Sequence, residues 1–344
     1  MRVLLIKMSS LGDVVHALPA VTEAARHGVR FDWVVEEGFA AVVQRHPAVN
    51  LTIPIAWRRW RKNLLDSRHE MVDFFSRLRD QHYDLVLDAQ GLLKSAVVSR
   101  LARGSRRIGF NHDSAREGAA SAFYSKRISV AREQHAIDRL RQLFAAAFAY
   151  ELDHSPVGSG IDVGSPDTAE KRCVMLHGTT WPSKHWPQEM WAALAGLLAS
   201  AGFKVQLPWG SDAELSRARQ VSTAGGERAE VLGAQSLADL MRVLTEASLA
   251  VGVDSGLAHL SAALGVPTVV IYGSTDSRLT GCRGAQVVNL QADFSCSPCL
   301  QKRCGYTGPA KTWQAGSVVP ACYSTVPPAL VMQSIEKLLV GSSQ

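Results

Sequence analysis

The feature that most constrains this chain is an alternation that runs through it twice. Short apolar runs of strand length are followed by longer stretches of helical spacing, first in residues 1–152 and again in residues 172–325. Val3 to Lys7, Phe31 to Val35 and Tyr83 to Asp88 read as strands in the first half. Cys173 to Leu176, Lys204 to Leu207, Leu249 to Val253 and Thr268 to Tyr272 read as strands in the second. The continuous apolar run from Val3 is of the kind shown by a strand buried on both faces, as in a parallel sheet covered by helices. From Asp13 towards His27, Val14, Val15, Leu18, Val21 and Ala25 follow helical spacing, Gly28 stands where a C-cap belongs, and Pro19 marks a place to kink. An Ala- and Leu-rich helix spans about 136–150. Pro187 opens a helix that ends before Gly202, and a last helix runs from about Ala329 to Leu339. Residues 153–171, with His-Ser-Pro-Val-Gly-Ser-Gly and Pro166, have linker composition. The expected fold is α/β: two doubly wound, Rossmann-like domains, 1–152 and 172–325, with a 326–344 C-terminal helix returning to the first.

Composition narrows the function. Hydrophobic residues make up 47% and charged residues 20%, enough to bury two cores. No window approaches the ~18 apolar residues of a membrane span, and the apolar run after Met1-Arg2 is too short for a secretion signal, so a cytoplasmic location is expected. The net charge of +6 is uneven: residues 1–152 hold 23 Lys/Arg against 16 Asp/Glu, and residues 153–344 hold 14 against 15. A basic half implies an anionic partner, whether nucleic acid, anionic lipid or a phosphorylated substrate; otherwise it is a solvated face. Cys296-x-x-Cys299 with Cys304 and Cys322 has the ligand number of a zinc site. Its irregular spacing and the lack of a nearby His favour reduced thiols, so no metal is assigned.

Ligands of open parallel sheets bind beyond the carboxyl ends of strands, and that rule selects three loops. Lys7-Met-Ser-Ser-Leu-Gly-Asp13 follows the first strand, with small residues that admit a ligand and no Gly-x-Gly-x-x-Gly pattern. Asp13 is either a first-turn acid complementing the helix dipole or a general base, and the residues alone leave both open. His177-Gly-Thr-Thr-Trp-Pro-Ser-Lys184 follows the first strand of the second half. Thr179, Thr180 and Lys184 suit a phosphate, or they form a polar loop with a solvated lysine. In Val251-Gly-Val-Asp-Ser-Gly-Leu-Ala-His259, the amides at the start of a helix suit a pyrophosphate, with Ser255 adding a hydroxyl. Asp254 would accept from sugar hydroxyls or cap the helix, and His259 is a ligand contact or a core histidine. A fourth segment, Trp57-Arg-Arg-Trp-Arg-Lys62, interleaves four cations with two indoles and suits phosphate, sugar or lipid headgroups, or nucleic acid.

Together, Lys7 to Ala20, Phe31 to Gly38, Arg58 to Lys62, Asp88-Ala-Gln-Gly-Leu-Leu-Lys-Ser95, His177 to Thr180 and Asp254 to His259 resemble the lipopolysaccharide heptosyltransferases, the ADP-heptose-dependent members of glycosyltransferase family 9. The resemblance covers nearly the whole chain. Thr-Thr-Trp-Pro-Ser-Lys in the 177–184 loop is similar to the type I enzymes; type II enzymes typically carry Gly-Pro-Ala-Lys there.

The resemblance implies a GT-B fold, two domains facing a cleft, with the acceptor on the first and the sugar nucleotide on the second. It implies inverting transfer of L-glycero-D-manno-heptose from ADP-heptose to the first Kdo of Kdo2-lipid A, with no cofactor and no required metal. Asp13 falls on the base position. Thr179, Thr180 and Lys184 fall on the diphosphate loop, and Asp254, Ser255, Gly256 and His259 on the donor-binding helix start. Ser255 replaces an expected threonine and keeps the hydroxyl. Glu214 is the candidate for the ribose, and Gln235 stands where an apolar adenine contact is expected. Ser10, Gly12, Arg58, Arg59, Arg61, Lys62, Lys94 and Arg116 are the candidates for the anionic acceptor, the basic half drawing the protein to the inner face of the inner membrane. Rival readings are another GT-B enzyme, such as a type II heptosyltransferase or a sugar-nucleotide epimerase, and a non-catalytic nucleic-acid-binding protein; the resemblance implies no nucleic-acid partner.

Overall fold

The computed structural model describes residues 1–161, 170–314 and 316–341. Residues 162–169, most of the second half of the expected linker, lie outside the described residues. The chain divides into two compact units, Met1–Asp162 and Val163–Gln344. Each is built on a six-stranded parallel sheet.

In the first unit, β1 (Arg2–Ile6), β2 (Arg30–Glu36), β3 (Val49–Ile55), β4 (Tyr83–Asp88), β5 (Gly104–Phe110) and β6 (Lys126–Ile128) take the order β3-β2-β1-β4-β5-β6. In the second, β7 (Arg172–Leu176), β8 (Lys204–Leu207), β9 (Ala229–Val231), β10 (Leu249–Val253), β11 (Thr268–Tyr272) and β12 (Val287–Gln291) take the order β12-β11-β10-β7-β8-β9. The central strands are apolar because both faces are covered: every residue of β10 and β11 is buried. The edges are built differently. β3 contains Pro54, which an edge strand tolerates because one side of it needs no N–H donors, while β6 and β9 are only three residues long. In each sheet the chain runs outward from one central strand and later returns to its other side. The switch lies between β1 and β4 in the first unit and between β7 and β10 in the second.

Helix Leu11–Arg26 follows β1 and continues through Pro19. Its buried Glu23 receives two hydrogen bonds of 2.8 Å from Arg141 of helix Ala136–Phe148, so a paired charge joins the two helices. The same helix holds His46. The ring accepts the Ala48 N–H at Nδ1 (3.1 Å), and its Nε2 lies 2.9 Å from Thr22 Oγ1, whose own proton goes to the Leu18 carbonyl. Burial pushes the His46 pKa down from 6.5 to about 4. A histidine depressed in this way favours the fold fully above pH 6.5. That contribution is lost as pH falls towards 4, because the unfolded chain takes up the proton first. Substituting His46→Gln should flatten the acid decline of stability over that window, by at most about 3 kcal/mol. Urea unfolding at a series of pH values reads it, and an unchanged slope would exclude His46 as the group responsible.

The last helix, Pro328–Gly341, packs on helix Gln188–Ser200 and on β11 and β12 of the second unit. Val331 and Ile335 are fully buried in the core that contains Trp186, Trp191 and Ile271, and the Trp186 indole donates to the Val326 carbonyl at 3.0 Å. Among the described residues the helix is part of the second unit's core. Its apolar face completes the cover over the second sheet.

Candidate active site

Both switch points gather the loops that the sequence selects. In the first unit, Asp13 occupies the third position of helix Leu11–Arg26. Its carboxylate accepts the Ser10 N–H (2.7 Å) and the Ser10 hydroxyl (3.0 Å), so it does cap the helix. It is not consumed by that role, because a third of the side chain stays exposed (32%) and its other oxygen lies 3.6 Å from the buried Lys7 ammonium. Burial pushes the Asp13 pKa up, but Lys7, the Ser10 N–H and His16 outweigh it and hold the carboxyl below its ordinary value. The group is therefore a carboxylate at neutral pH. Asp13, Lys7, His16, Gln90, Arg116 and Arg139 line one small cavity of about 90 Å³.

The Asp88-Ala-Gln-Gly91 loop after β4 builds the wall of this cavity. Buried Asp88 accepts the N–H groups of Gln90 (2.9 Å) and Gly91 (3.2 Å) and the Tyr124 hydroxyl (2.8 Å). Gly91 has φ +67°, a conformation that favours glycine. Gln90 Oε1 then accepts from Met8 and Ser9, fixing the backbone that leads to Asp13, and Lys94 donates to Ser9 Oγ at 2.9 Å. Burial pushes the Lys94 pKa down, and Glu36 and Asp13 act against it by favouring the charged form. Arg58 lies over the Phe39 ring. Arg59 is held by Glu37 and Glu70, whereas among the described residues Arg61 and Lys62 are exposed and make no ion pair. Gly12 is buried in the helix start and Ser10 is exposed beside Asp13.

In the second unit, Lys184 and Asp254 meet across the switch between β7 and β10. Lys184 Nζ lies 2.7 Å from Asp254 Oδ2, His259 Nε2 lies 3.4 Å from Oδ1, and Thr275 donates to Oδ2 at 2.6 Å. Burial alone would raise the Asp254 pKa, but His259 and Lys184 hold it well below the carboxylate range. Burial likewise opposes protonation of His259, and its contacts with Cys282 and Asp254 overcome this and raise its pKa. The cluster therefore sets two cations against one carboxylate. Thr179 donates to the Asp254 carbonyl at 3.2 Å, and Thr180 lies exposed two residues from Pro182 in the same loop. Ser255 caps helix Gly256–Ala263 by accepting from Ala258 N. Glu214 accepts the Gly210 N–H at 2.8 Å and lies against Gly178, where an added Cβ would stand 2.3 Å from its Oε1. Gly178 thus keeps room for Glu214 beside the loop. Gln235 is half-buried just before helix Leu237–Thr245.

Sequence reading passed over Lys7, His16, Gln90 and Arg139 as site residues. His16 was visible, since it lies one turn beyond Asp13 on the same helix face. Arg139 carried no local signal, as only the fold brings helix Ala136–Phe148 to the β1 loop. Thr275 also went unread, although it follows β11 under the same strand-end rule. Cys296, Cys299, Cys304 and Cys322 are free thiols lining one cavity of about 290 Å³. Among the described residues, no three His, Cys, Asp or Glu side chains are arranged to hold a metal ion.

The chain is similar to known proteins. The family model "Glycosyltransferase family 9 (heptosyltransferase)" matches residues 71–309. A lipopolysaccharide heptosyltransferase 1 of Pseudomonas aeruginosa is 47% identical over 351 positions, covering 99% of each chain. The structure of Escherichia coli heptosyltransferase WaaC with ADP has a TM-score of 0.85 at 39% identity, covering 98% of this chain and 100% of that one. The same enzyme with ADP-2-deoxy-2-fluoro heptose has a TM-score of 0.82 at 39% identity, covering 98% and 99%. On its two parallel sheets and these matches, the chain is a GT-B glycosyltransferase and belongs to glycosyltransferase family 9, the heptosyltransferases.

Proposed function

We propose that this enzyme transfers L-glycero-D-manno-heptose from ADP-heptose to the first Kdo of Kdo2-lipid A, with inversion, in building the lipopolysaccharide inner core. The observation that carries the reading is the likeness, at 39% identity over 98% of the chain, to an enzyme solved with ADP and with a fluorinated ADP-heptose. Asp13 acts as the base. It is ionised, partly exposed and set in a pocket with Lys7 and Arg116. It takes the proton of the Kdo hydroxyl as that oxygen attacks the anomeric carbon, and one carboxylate is enough for a single displacement. Lys184, Thr179, Thr180 and the Ser255 and Gly256 amides stabilise the charge gathering on the leaving diphosphate. Asp254 and His259 hold Lys184 in place, and Glu214 takes a ribose hydroxyl.

Arg58, Arg61, Lys62, Lys94 and Arg116 receive the acceptor's carboxylates and phosphates, with Ser10 and Gly12 shaping the loop beside them. Arg59 contributes less, since Glu37 and Glu70 already match its charge. No resident cofactor is assigned. The protein works at the cytoplasmic face of the inner membrane, where its substrate is anchored; among the described residues, no helix is long and apolar enough to cross a membrane.

ADP release from ADP-heptose, with and without Kdo2-lipid A or its deacylated sugar, tests this reading, with EDTA added in parallel. Release that needs the acceptor and survives EDTA is expected. No release would discard the donor–acceptor pair. Turnover of the nucleotide sugar without acceptor would point to an epimerase or hydrolase.

A further inference from the structure

The first unit places its densest positive charge and its most exposed apolar side chains in the same stretch. Residues 57–107 hold twelve Lys/Arg against six Asp/Glu, a surplus equal to the net charge of the whole chain. Within that stretch Leu64 and Leu65 are 63% and 84% exposed and follow directly on Arg61 and Lys62. Val72 on helix Arg68–Arg79 is also exposed. Helix Leu93–Leu101 turns Leu93, Val97 and Leu101 outward while Ala96 and Val98 are buried. Spacing of four residues puts the three outward side chains on one helix face.

These elements are neighbours. Trp60, Phe74, Val98 and Ala102 share one buried cluster, and the Lys94 ammonium lies within electrostatic reach of Arg58 and Arg61. Isolated exposed leucines need no explanation, but a tandem pair beside a run of cations, near an outward apolar stripe, does. Charge decides the partner. An apolar surface edged by cations matches a bilayer with anionic headgroups, whose phosphates meet the cations while the apolar side chains enter the boundary layer.

We propose that residues 61–72 and the outer face of helix Leu93–Leu101 form a membrane-docking surface, with Leu64 and Leu65 inserting below the headgroups of an anionic bilayer. This rests on the reading that the acceptor is lipid-borne, and it goes beyond electrostatic attraction. Binding by charge alone is screened away by salt, whereas inserted leucines leave a salt-resistant part.

The test is co-sedimentation of the full chain with phosphatidylcholine vesicles and with vesicles also containing phosphatidylglycerol, neither holding any acceptor. The wild type should bind only the anionic vesicles and retain part of that binding at about 0.5 M salt. The Leu64→Glu/Leu65→Glu variant should lose the salt-resistant part and weaken binding about tenfold or more, while its activity on a water-soluble, deacylated acceptor is unchanged. Should the charged variant fold poorly by circular dichroism, Leu64→Ser/Leu65→Ser provides the same reading. Failure of the wild type to bind anionic vesicles, binding fully abolished by salt, or equal binding by wild type and variant would each overturn the proposal. Because the vesicles contain no acceptor, docking without any transferase activity would sink the proposed reaction and leave the surface standing.

Discussion

Asp13→Ala is expected to lower kcat by about a hundred- to ten-thousandfold, the range for loss of a positioned general base. Affinity for ADP should remain nearly unchanged, since every proposed contact to the donor comes from the second unit. The readouts are acceptor-dependent ADP release and calorimetric binding of ADP. Asp13 also accepts from the Ser10 N–H at the helix start, so its removal costs a cap as well, about 1 kcal/mol. Asp13→Asn separates the two roles, because the amide oxygen still accepts the N–H but the side chain cannot take a proton. If Asp13→Asn is as inactive as Asp13→Ala, the lost function is proton transfer. If Asp13→Asn keeps wild-type turnover, Asp13 is a capping residue and another group is the base.

Lys184→Ala should cost about a hundred- to thousandfold in turnover, comparable with removing one preorganised donor from a developing anion. The loss has two parts. The ammonium itself goes, and Asp254, held among the described residues by His259 and Thr275, would meet the proposed diphosphate with less of its charge matched. ADP affinity should fall too, since the product carries the same diphosphate. Lys184→Arg should rescue poorly. The ammonium sits 4.7 Å over the Trp181 ring and 2.7 Å from Asp254, a place suited to a compact charge rather than a planar fork. Turnover within a few-fold of wild type in Lys184→Ala would show that Lys184 serves only as a counter-ion to Asp254.

The loops that carry the site were legible because they follow the most legible strands. The strands at Tyr83–Asp88, Lys204–Leu207, Leu249–Val253 and Thr268–Tyr272 stand where the sequence puts them, the last two as apolar runs buried throughout. A central parallel strand must be apolar on both faces, so its sequence announces it and marks the ligand loop at its carboxyl end. The edge strands gave no such notice. β3 contains Pro54, β6 and β9 span three residues, and β12 is only partly buried, because an edge needs neither two apolar faces nor a full ladder.

By itself, the sequence determined the α/β class, the two-fold repetition of the fold, the strand-end loops at residues 7–13, 177–184 and 254–259, and the uneven charge. These are local properties: apolar periodicity, glycine and proline punctuation, and counts of charge. Only the tertiary structure decided which strands stand side by side, and therefore that Gln90 and Lys94 reach the loop before Asp13, that Arg139 enters its pocket, and that Lys184 meets Asp254. It also placed the last helix on the second unit and drew the Arg59 charge into Glu37 and Glu70. Partners separated by some seventy or more residues leave no mark in local sequence; the order of strands in a sheet brings them together.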